Sequence, residues 1–159
     1  MEVQEAIAQA DLFRGVEEER LLEVATFCDL RKYDHREIIV TEDEVSDRLF
    51  LLVRGRAVVE VSFPTAGTED DSVPCQIGSL KEGDVIGEIT LIDNARRSAT
   101  VRAAGSAEVL SIANEDMRSL LERSPEVGLR VMENIALYLA SRLRDSNMRL
   151  RNAASNLLF

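Results

Sequence analysis

The middle of the chain is divided into short apolar runs, and this division limits the possible folds more than any other feature. Seven runs rich in Val, Ile and Leu are separated by clusters of turn-forming residues. They cover residues 30–33, 37–41, 48–54, 56–62, 76–80, 98–103 and 107–112. Short strands at even spacing are typical of sandwiches and barrels. We therefore predict a mainly β fold, a β-barrel of jelly-roll type, over residues 30–112.

Both flanks of this β region have helical patterns instead. Before it, residues 3–10 and 17–28 show the spacing of amphipathic helices. After it, Ser124 and Pro125 are typical of a helix start, and we expect that helix to run to about residue 152. We expect one domain over 1–159, with N-terminal helices over 1–29, the β-roll over 30–112 and C-terminal helices over 113–159.

The last predicted helix carries an apolar stripe with heptad-like spacing. Its members recur at alternating four- and three-residue steps: Met132, Ala136, Leu139, Leu143, Ser146 and Leu150. Such a stripe suits a helix packed on its own barrel, but also a helix that closes over a ligand or pairs with a second copy through residues 126–152. The sequence leaves these alternatives open. A set of arginines on the same helix is interpreted as a solvated face: Arg142, Arg144, Arg149 and Arg151.

One stretch, residues 87–100, carries the chemistry of a binding site. It reads Gly-Glu-Ile-Thr-Leu-Ile-Asp-Asn-Ala-Arg-Arg-Ser-Ala-Thr. Gly87 permits close approach of the backbone, and a short helix after it would direct N–H groups at an anion. Arg97 offers a planar set of donors that suits phosphate. Glu88 repels phosphate but suits hydroxyl groups, as acidic residues do in dinucleotide-binding folds. Together these residue types indicate a nucleotide.

The same stretch resembles the phosphate-binding cassette of the cyclic nucleotide-binding domain family. This family includes kinase regulatory subunits, cyclic-nucleotide-gated channels and catabolite-activator-type regulators. Its pattern is Gly-Glu-(Leu/Ile)-x-Leu, followed after a short gap by Arg-(Ser/Thr/Ala)-Ala-(Thr/Ser). The first half is matched by Gly87, Glu88, Ile89 and Leu91. The second half is matched by Arg97, Ser98, Ala99 and Thr100. We refer to residues 87–100 as the cassette.

The resemblance implies a role for most of these residues. Glu88 would bind the ribose 2′-hydroxyl and Arg97 the cyclic phosphate. Ser98 and Ala99 would add phosphate contacts. Thr90 stands where many members have alanine, and it would make an extra polar contact or cap the short helix.

The resemblance also implies a pocket for the base. Val59 and Ile77 would pack against the base, with Ile86 nearby, although an ordinary strand core is the better interpretation of each residue taken alone. One departure lies in the loop at residues 42–44, where members often have Glu-Gly-Asp and this chain has Asp43 in place of the glycine. We expect a local difference in that turn.

The expected function is a stand-alone regulatory sensor that binds a cyclic nucleotide and switches a protein partner or a dimer interface. Cyclic AMP is favoured over cyclic GMP, with no metal and no catalysis. Some members selective for cyclic GMP have threonine after the arginine, and Ser98 is similar, so the base preference stays open. The alternative is a dimerisation or docking module of the same fold that works without nucleotide.

Composition bears on the other classes of function. A net charge of −10 and a pI of about 4.7 oppose binding to nucleic acid or to an anionic membrane. No apolar run approaches the ~20 residues of a membrane span, and the acidic N-terminus is unlike a signal peptide, so we expect a cytoplasmic protein. Cys28, Cys75 and His35 form no metal-binding or acid–base pattern. From the few residues after Arg151, we expect no helix-turn-helix module.

Overall fold

The computed structural model describes residues 3–64 and 72–158, with the side chains of 156–158 excepted. Its helices are α1 (Val3–Gln9), α2 (Glu18–Ala25), α3 (Glu88–Asp93), α4 (Asn114–Arg123) and α5 (Pro125–Leu158). A 3-10 turn at Asp11–Phe13 lies between α1 and α2. The strands are β1 (Cys28–Tyr33), β2 (Ile38–Val40), β3 (Arg48–Arg54), β4 (Arg56–Pro64), β5 (Ser72–Lys81), β6 (Val85–Ile86), β7 (Thr100–Ala103) and β8 (Ala107–Ala113).

The strands form two four-stranded antiparallel sheets. One has the order β1-β8-β3-β6 and the other the order β2-β7-β4-β5. Among the described residues no strand pairing joins the two sheets, so the arrangement is a pair of facing sheets rather than a closed barrel. The predicted fold class is otherwise confirmed: mainly β, with flanking helices and a long C-terminal helix.

Strand β3 is buried on both faces and separates two cores. Leu49 and Leu51 lie in a cluster with residues of all five helices, whereas Phe50 and Leu52 lie in a cluster between the two sheets. Alternate residues of a strand point to opposite faces, so one strand supplies both clusters. This explains why its sequence is continuously apolar instead of alternating.

The first half of α5 packs on the helical side of this core. Val127, Val131 and Ile135 are buried, and the Asn134 side chain donates hydrogen bonds of 2.9 Å each to the carbonyl oxygens of Leu12 and Arg14. The apolar stripe is less buried than this face, although Leu139 packs against the same core. Of its leucines and methionine, Met132, Leu143 and Leu150 are exposed and Leu139 is half-buried.

The structure corrects several predicted boundaries. The helix predicted over 17–28 ends at Ala25, and Cys28 begins β1, where its thiol donates to the carbonyl of Val24. The long helix continues to Leu158 instead of ending near residue 152. The gap between the predicted strands 56–62 and 76–80 is shorter in the structure, because β4 and β5 pair as far as Pro64 and Ser72. Residues 65–71 lie outside the described part of the chain.

Gly55 makes the turn that carries the chain from one sheet to the other. It lies between β3 and β4 with a φ of +92°. A β-carbon built there would overlap the carbonyl oxygen of Ser106 and lie 3.1 Å from Cα of Ala107. Backbone atoms of Ser106 and Ala107, at the start of β8, therefore exclude any side chain at this position.

We predict that Gly55→Ala destabilises the fold more than Gly105→Ala. Gly105 also has a positive φ, +108°, but nothing lies within 4 Å of a β-carbon built there. In both variants an alanine must adopt a left-handed conformation, which costs about 1–2 kcal/mol. Only Gly55→Ala adds the steric overlap, which we expect to cost roughly 1–3 kcal/mol more. Urea unfolding measures both, and equal losses would contradict this role for Gly55.

Candidate functional site

A short helix directly after β6 positions the first half of the cassette. Gly87 has a left-handed φ of +90°, and α3 begins at the next residue, Glu88. Asn94 ends the helix, also in a left-handed conformation, with a φ of +56°. Leu91 is buried in the core cluster beside the helices. The short helix expected after Gly87 is confirmed, and this packing fixes its orientation.

The side chain of Arg97 is buried beneath this helix. Its exposed fraction is 4%. Nη2 donates to Ser46 Oγ at 2.7 Å and to the carbonyl oxygen of Arg48, while Nη1 lies 3.4 Å from Thr90 Oγ1. The guanidinium also lies 5.5 Å from the ring centroid of Phe50. Burial lowers the pKa of Arg97, and the carboxylates of three acidic residues oppose that fall: Glu44, Glu88 and Asp47.

Gly87 makes room for this guanidinium. A β-carbon built at Gly87 would overlap Nη1 of Arg97 and lie 2.9 Å from its Cζ. The sequence analysis assigned the glycine to close approach of a ligand. In the structure, the group that approaches the glycine is the Arg97 side chain.

Glu88 is the second buried ionisable group of the site, with an exposed fraction of 8%. Burial raises the pKa of its carboxyl. The backbone N–H groups of Glu88 and Gly87 and the charges of Arg142 and Arg97 only partly oppose this rise. The carboxylate is thus desolvated yet faces two guanidinium groups, which leaves it suited to accept hydrogen bonds from a hydroxyl.

Nine of the ten predicted site residues line one small cavity of ≈ 80 Å³. They are Val59, Ile86, Gly87, Glu88, Ile89, Thr90, Arg97, Ser98 and Ala99. Ile77 lines an adjoining groove of ≈ 1350 Å³ between β5 and α5. Glu88, Ile89 and Ser98 border both spaces. The cavity therefore adjoins the groove, and the ten residues lie around these two neighbouring spaces.

Helix α5 brings two residues to this site that the sequence analysis did not place there. The Tyr138 hydroxyl donates to the carbonyl of Val85 at 3.2 Å, and Arg142 donates to the same hydroxyl at 3.0 Å. Arg142 lines both the cavity and the groove, which corrects its interpretation as part of a solvated face. A signal was present in the sequence, because Arg142 follows Ile135 by two helical turns and shares its buried face.

Arg149 is exposed, as expected for a solvated face, but it also contacts the sheet. Its Nη1 donates to the carbonyl oxygen of Ile77 on β5. The side chain thus bridges α5 to the strand that forms the other wall of the groove.

The loop between β2 and β3 is tied to the second half of the cassette. The N–H of Asp43 donates to the Arg97 carbonyl at 2.9 Å, and the N–H of Arg97 donates to the Glu44 carbonyl at 3.0 Å. Asp43 has a φ of +62°, so this aspartate adopts the left-handed conformation that glycine favours. The turn is therefore left-handed at residue 43 although the residue there is aspartate and not glycine.

Residues 3–64 and 72–158 also bear on metal binding and on membrane insertion. In that part of the chain, no group of three or more His, Cys, Asp or Glu residues could hold a metal ion. Within the same residues, no helix combines the length and apolar character that crossing a membrane requires.

We predict that Glu88→Gln stabilises the protein at neutral pH. The pKa of Glu88 is raised in the folded state, so its contribution to stability is complete below its unfolded pKa of about 4.3 and is lost as the pH rises through the folded value. The gain from Glu88→Gln should be absent near pH 4 and grow toward pH 7 in urea unfolding. The control is Glu115→Gln in the first turn of α4, where the side chain is exposed. A variant less stable than wild type at pH 7 would contradict the account.

Two known proteins have sequences similar to that of this chain. It is 30% identical over 141 residues to Glutaminase 1 of Bradyrhizobium diazoefficiens, covering 89% of this chain but 21% of that protein. It is 26% identical over 128 residues to the cAMP-activated global transcriptional regulator CRP of Escherichia coli, covering 80% of this chain and 56% of the regulator. The chain thus spans about a fifth to about half the length of these relatives.

A solved structure supports the fold. A cyclic nucleotide-binding domain from Methylobacillus flagellatus KT superposes with a TM-score of 0.79 at 22% identity, covering 96% of this chain and 82% of that one. The family model of the cyclic nucleotide-binding domain matches residues 30–124, which is more than half of the chain and includes the whole cassette. The chain therefore belongs to the cyclic nucleotide-binding domain family.

Proposed function

We propose that this chain is a regulatory module that binds a cyclic mononucleotide, with cyclic AMP favoured over cyclic GMP, and that it catalyses no reaction. The observation that carries this proposal is the placement of two buried, oppositely charged side chains, Glu88 and Arg97, on one cavity. A guanidinium suits a phosphate, and a desolvated carboxylate suits a hydroxyl. A ribose with a cyclic phosphate presents both groups a few bonds apart.

The remaining site residues take roles that follow from their positions. Ser98 and Ala99 border the cavity beside Arg97 and would contact the phosphate, while Thr90 would orient the guanidinium through its hydroxyl. The base would lie toward the groove. Its apolar contacts would come from Val59 and Ile86 at the cavity and from Ile77 in the groove.

The relatives support a regulatory rather than a catalytic module. The name of the Escherichia coli protein describes a regulator that is activated by cAMP. The glutaminase shares only a fifth of its length with this chain, so we do not assign its activity here. The acidic net charge of −10 supports a module that contacts neither nucleic acid nor a membrane surface. We assign it to the cytoplasm, as one domain over residues 1–159.

We propose that ligand occupancy is reported through α5 by a shift between conformations. Tyr138 and Arg142 join this helix to β6 and to the site, and Leu91 joins α3 to the core that holds α4 and α5. A ligand that contacts both the cassette and Arg142 favours conformations in which they lie close together. Its differential affinity for those conformations sets the size of the shift.

We predict that Arg97→Ala weakens cyclic AMP binding at least tenfold. A hydrogen bond to a charged group contributes on the order of 1.5–3 kcal/mol net, and about 1.4 kcal/mol corresponds to tenfold in affinity. Arg97→Lys keeps the charge but loses the planar donor set, and it should fall between alanine and wild type. Isothermal titration calorimetry gives all the affinities.

The control for Arg97→Ala is Arg31→Ala, an exposed arginine on β1, which removes the same charge far from the cavity. Unchanged affinity in Arg97→Ala would refute the assignment of the phosphate site. An equal loss in both variants would mean that net charge alone is responsible.

We further propose that α5 pairs with α5 of a second copy, which would supply the dimer interface that the module switches. The stripe at heptad spacing is the supporting observation, because three of its apolar residues stay exposed although Leu139, Leu143, Ser146 and Leu150 border the groove. Met132, Leu143 and Leu150 on it have exposed fractions of 39%, 63% and 66%. Apolar residues at this spacing are typical of paired helices.

If α5 pairs in this way, the wild type should be a dimer, with twice the chain mass of 17.7 kDa in size exclusion with light scattering. Leu143→Glu should return it to the single-chain mass, because a charge at the centre of the stripe opposes pairing. Met148→Glu is the control, since Met148 is 62% exposed but lies off the stripe. A monomeric wild type would refute the dimer, and a ligand-indifferent dimer without nucleotide binding would favour the alternative docking module.

A further inference from the structure

Two hydrogen bonds from one nitrogen of Arg97 restrict what its guanidinium can hold. Nη2 has two hydrogens, and it donates to Ser46 Oγ and to the Arg48 carbonyl oxygen. A guanidinium grips a phosphate with two parallel bonds, through either the Nε/Nη2 edge or the Nη1/Nη2 edge. Both edges include Nη2. Neither edge can form the paired contact while both internal bonds hold.

Of the two acceptors, Ser46 is the one that a side-chain change can remove. The other acceptor is a main-chain oxygen of β3, within the core strand. Ser46 belongs to the loop between β2 and β3, and its hydroxyl accepts from Nη2 at 2.7 Å. This is the shorter of the two side-chain hydroxyl contacts of Arg97, since Thr90 Oγ1 lies at 3.4 Å.

The loop is held so that this hydroxyl stays within reach. On one side of Ser46, the Glu44 carbonyl accepts from the N–H of Arg97 at 3.0 Å. On the other side, the Asp47 carbonyl accepts from the N–H of Asn114 at 2.7 Å. These two main-chain anchors bracket Ser46 within three residues of chain.

The charges of the same loop favour this internal arrangement. Glu44 and Asp47 both stabilise the charged guanidinium of Arg97. The loop thus gives Arg97 a neutral acceptor and two nearby carboxylates. An entering phosphate would meet the same carboxylates as like charges.

We propose that Ser46 competes with the nucleotide phosphate for Arg97, and so lowers the affinity of the site for cyclic nucleotide. The inference rests on the proposed function, because it takes the phosphate to be the partner of Arg97. It makes Ser46 a positioning residue: the hydroxyl acts through the guanidinium and does not contact the ligand.

The test is a calorimetric titration of cyclic AMP into the full chain and three variants. Ser46→Ala should bind about three- to tenfold more tightly than wild type, equivalent to roughly 0.6–1.4 kcal/mol. Ser46→Thr keeps the hydroxyl and should restore the wild-type affinity. Val45→Ala, at a neighbouring loop residue that is 72% exposed, should leave the affinity unchanged.

Two further measurements separate competition from a general change in the loop. In an Arg97→Ala background, Ser46→Ala should not change the remaining affinity for cyclic AMP, because the guanidinium for which Ser46 and the phosphate compete is absent. In ¹⁵N-labelled protein without nucleotide, Ser46→Ala should also speed rotation about the Cζ–Nη2 bond of Arg97, whereas Val45→Ala should not.

The outcomes distinguish this inference from the proposed function. If the wild type binds cyclic AMP and Ser46→Ala binds equally or more weakly, the competition is refuted and the function stands. If the wild type binds no cyclic nucleotide, both are refuted. An equal gain in the Arg97→Ala background would also refute competition, since the gain would not pass through Arg97.

Discussion

The fit of the Arg97 guanidinium against Gly87 is the constraint on which the site depends. The space beside Gly87 that a β-carbon would occupy is taken by Nη1 of Arg97. Arg97 follows Gly87 by ten positions, and their contact brings the two halves of the cassette together. It also holds a positive charge at the start of α3, next to the buried carboxylate of Glu88. In an acidic chain, this is how one local site can attract an anion that the overall charge repels.

A few contacts connect the cassette to the C-terminal helices. Strand β3 separates the core between the sheets from the core beneath the helices, and Leu91 of α3 belongs to the second. Arg118 of α4 donates to the Leu91 carbonyl at 3.0 Å, near the end of α3. Tyr138 adds the connection from α5 to β6. A movement of α3 would therefore be transmitted first to α4 and α5, and α5 carries the apolar stripe.

Much of this could be predicted from the sequence, because the relevant signals are local. Runs such as residues 48–54 and 107–112 are long enough to mark strands, and the cassette residues are contiguous. What could not be predicted depends on tertiary contacts. Strand β6 has only two residues, too few for a pattern. The bond from Arg97 to Ser46 spans 51 positions. The spacing of Arg142 from Ile135 places both on one face of α5, but where that face docks depends on tertiary contacts such as that of Tyr138 with Val85.

The most direct test of the central claim is thermal unfolding with cyclic AMP, cyclic GMP, 5′-AMP or no nucleotide. At ~100 times Kd, a ligand that binds only the folded state adds about 2.7 kcal/mol of stability. For a domain of this size, that raises Tm by roughly 5–10 °C. The account predicts this rise with cyclic AMP, a smaller one with cyclic GMP at equal concentration, and none with 5′-AMP. No rise with either cyclic nucleotide would contradict it and would leave Glu88 and Arg97 as structural partners of the fold.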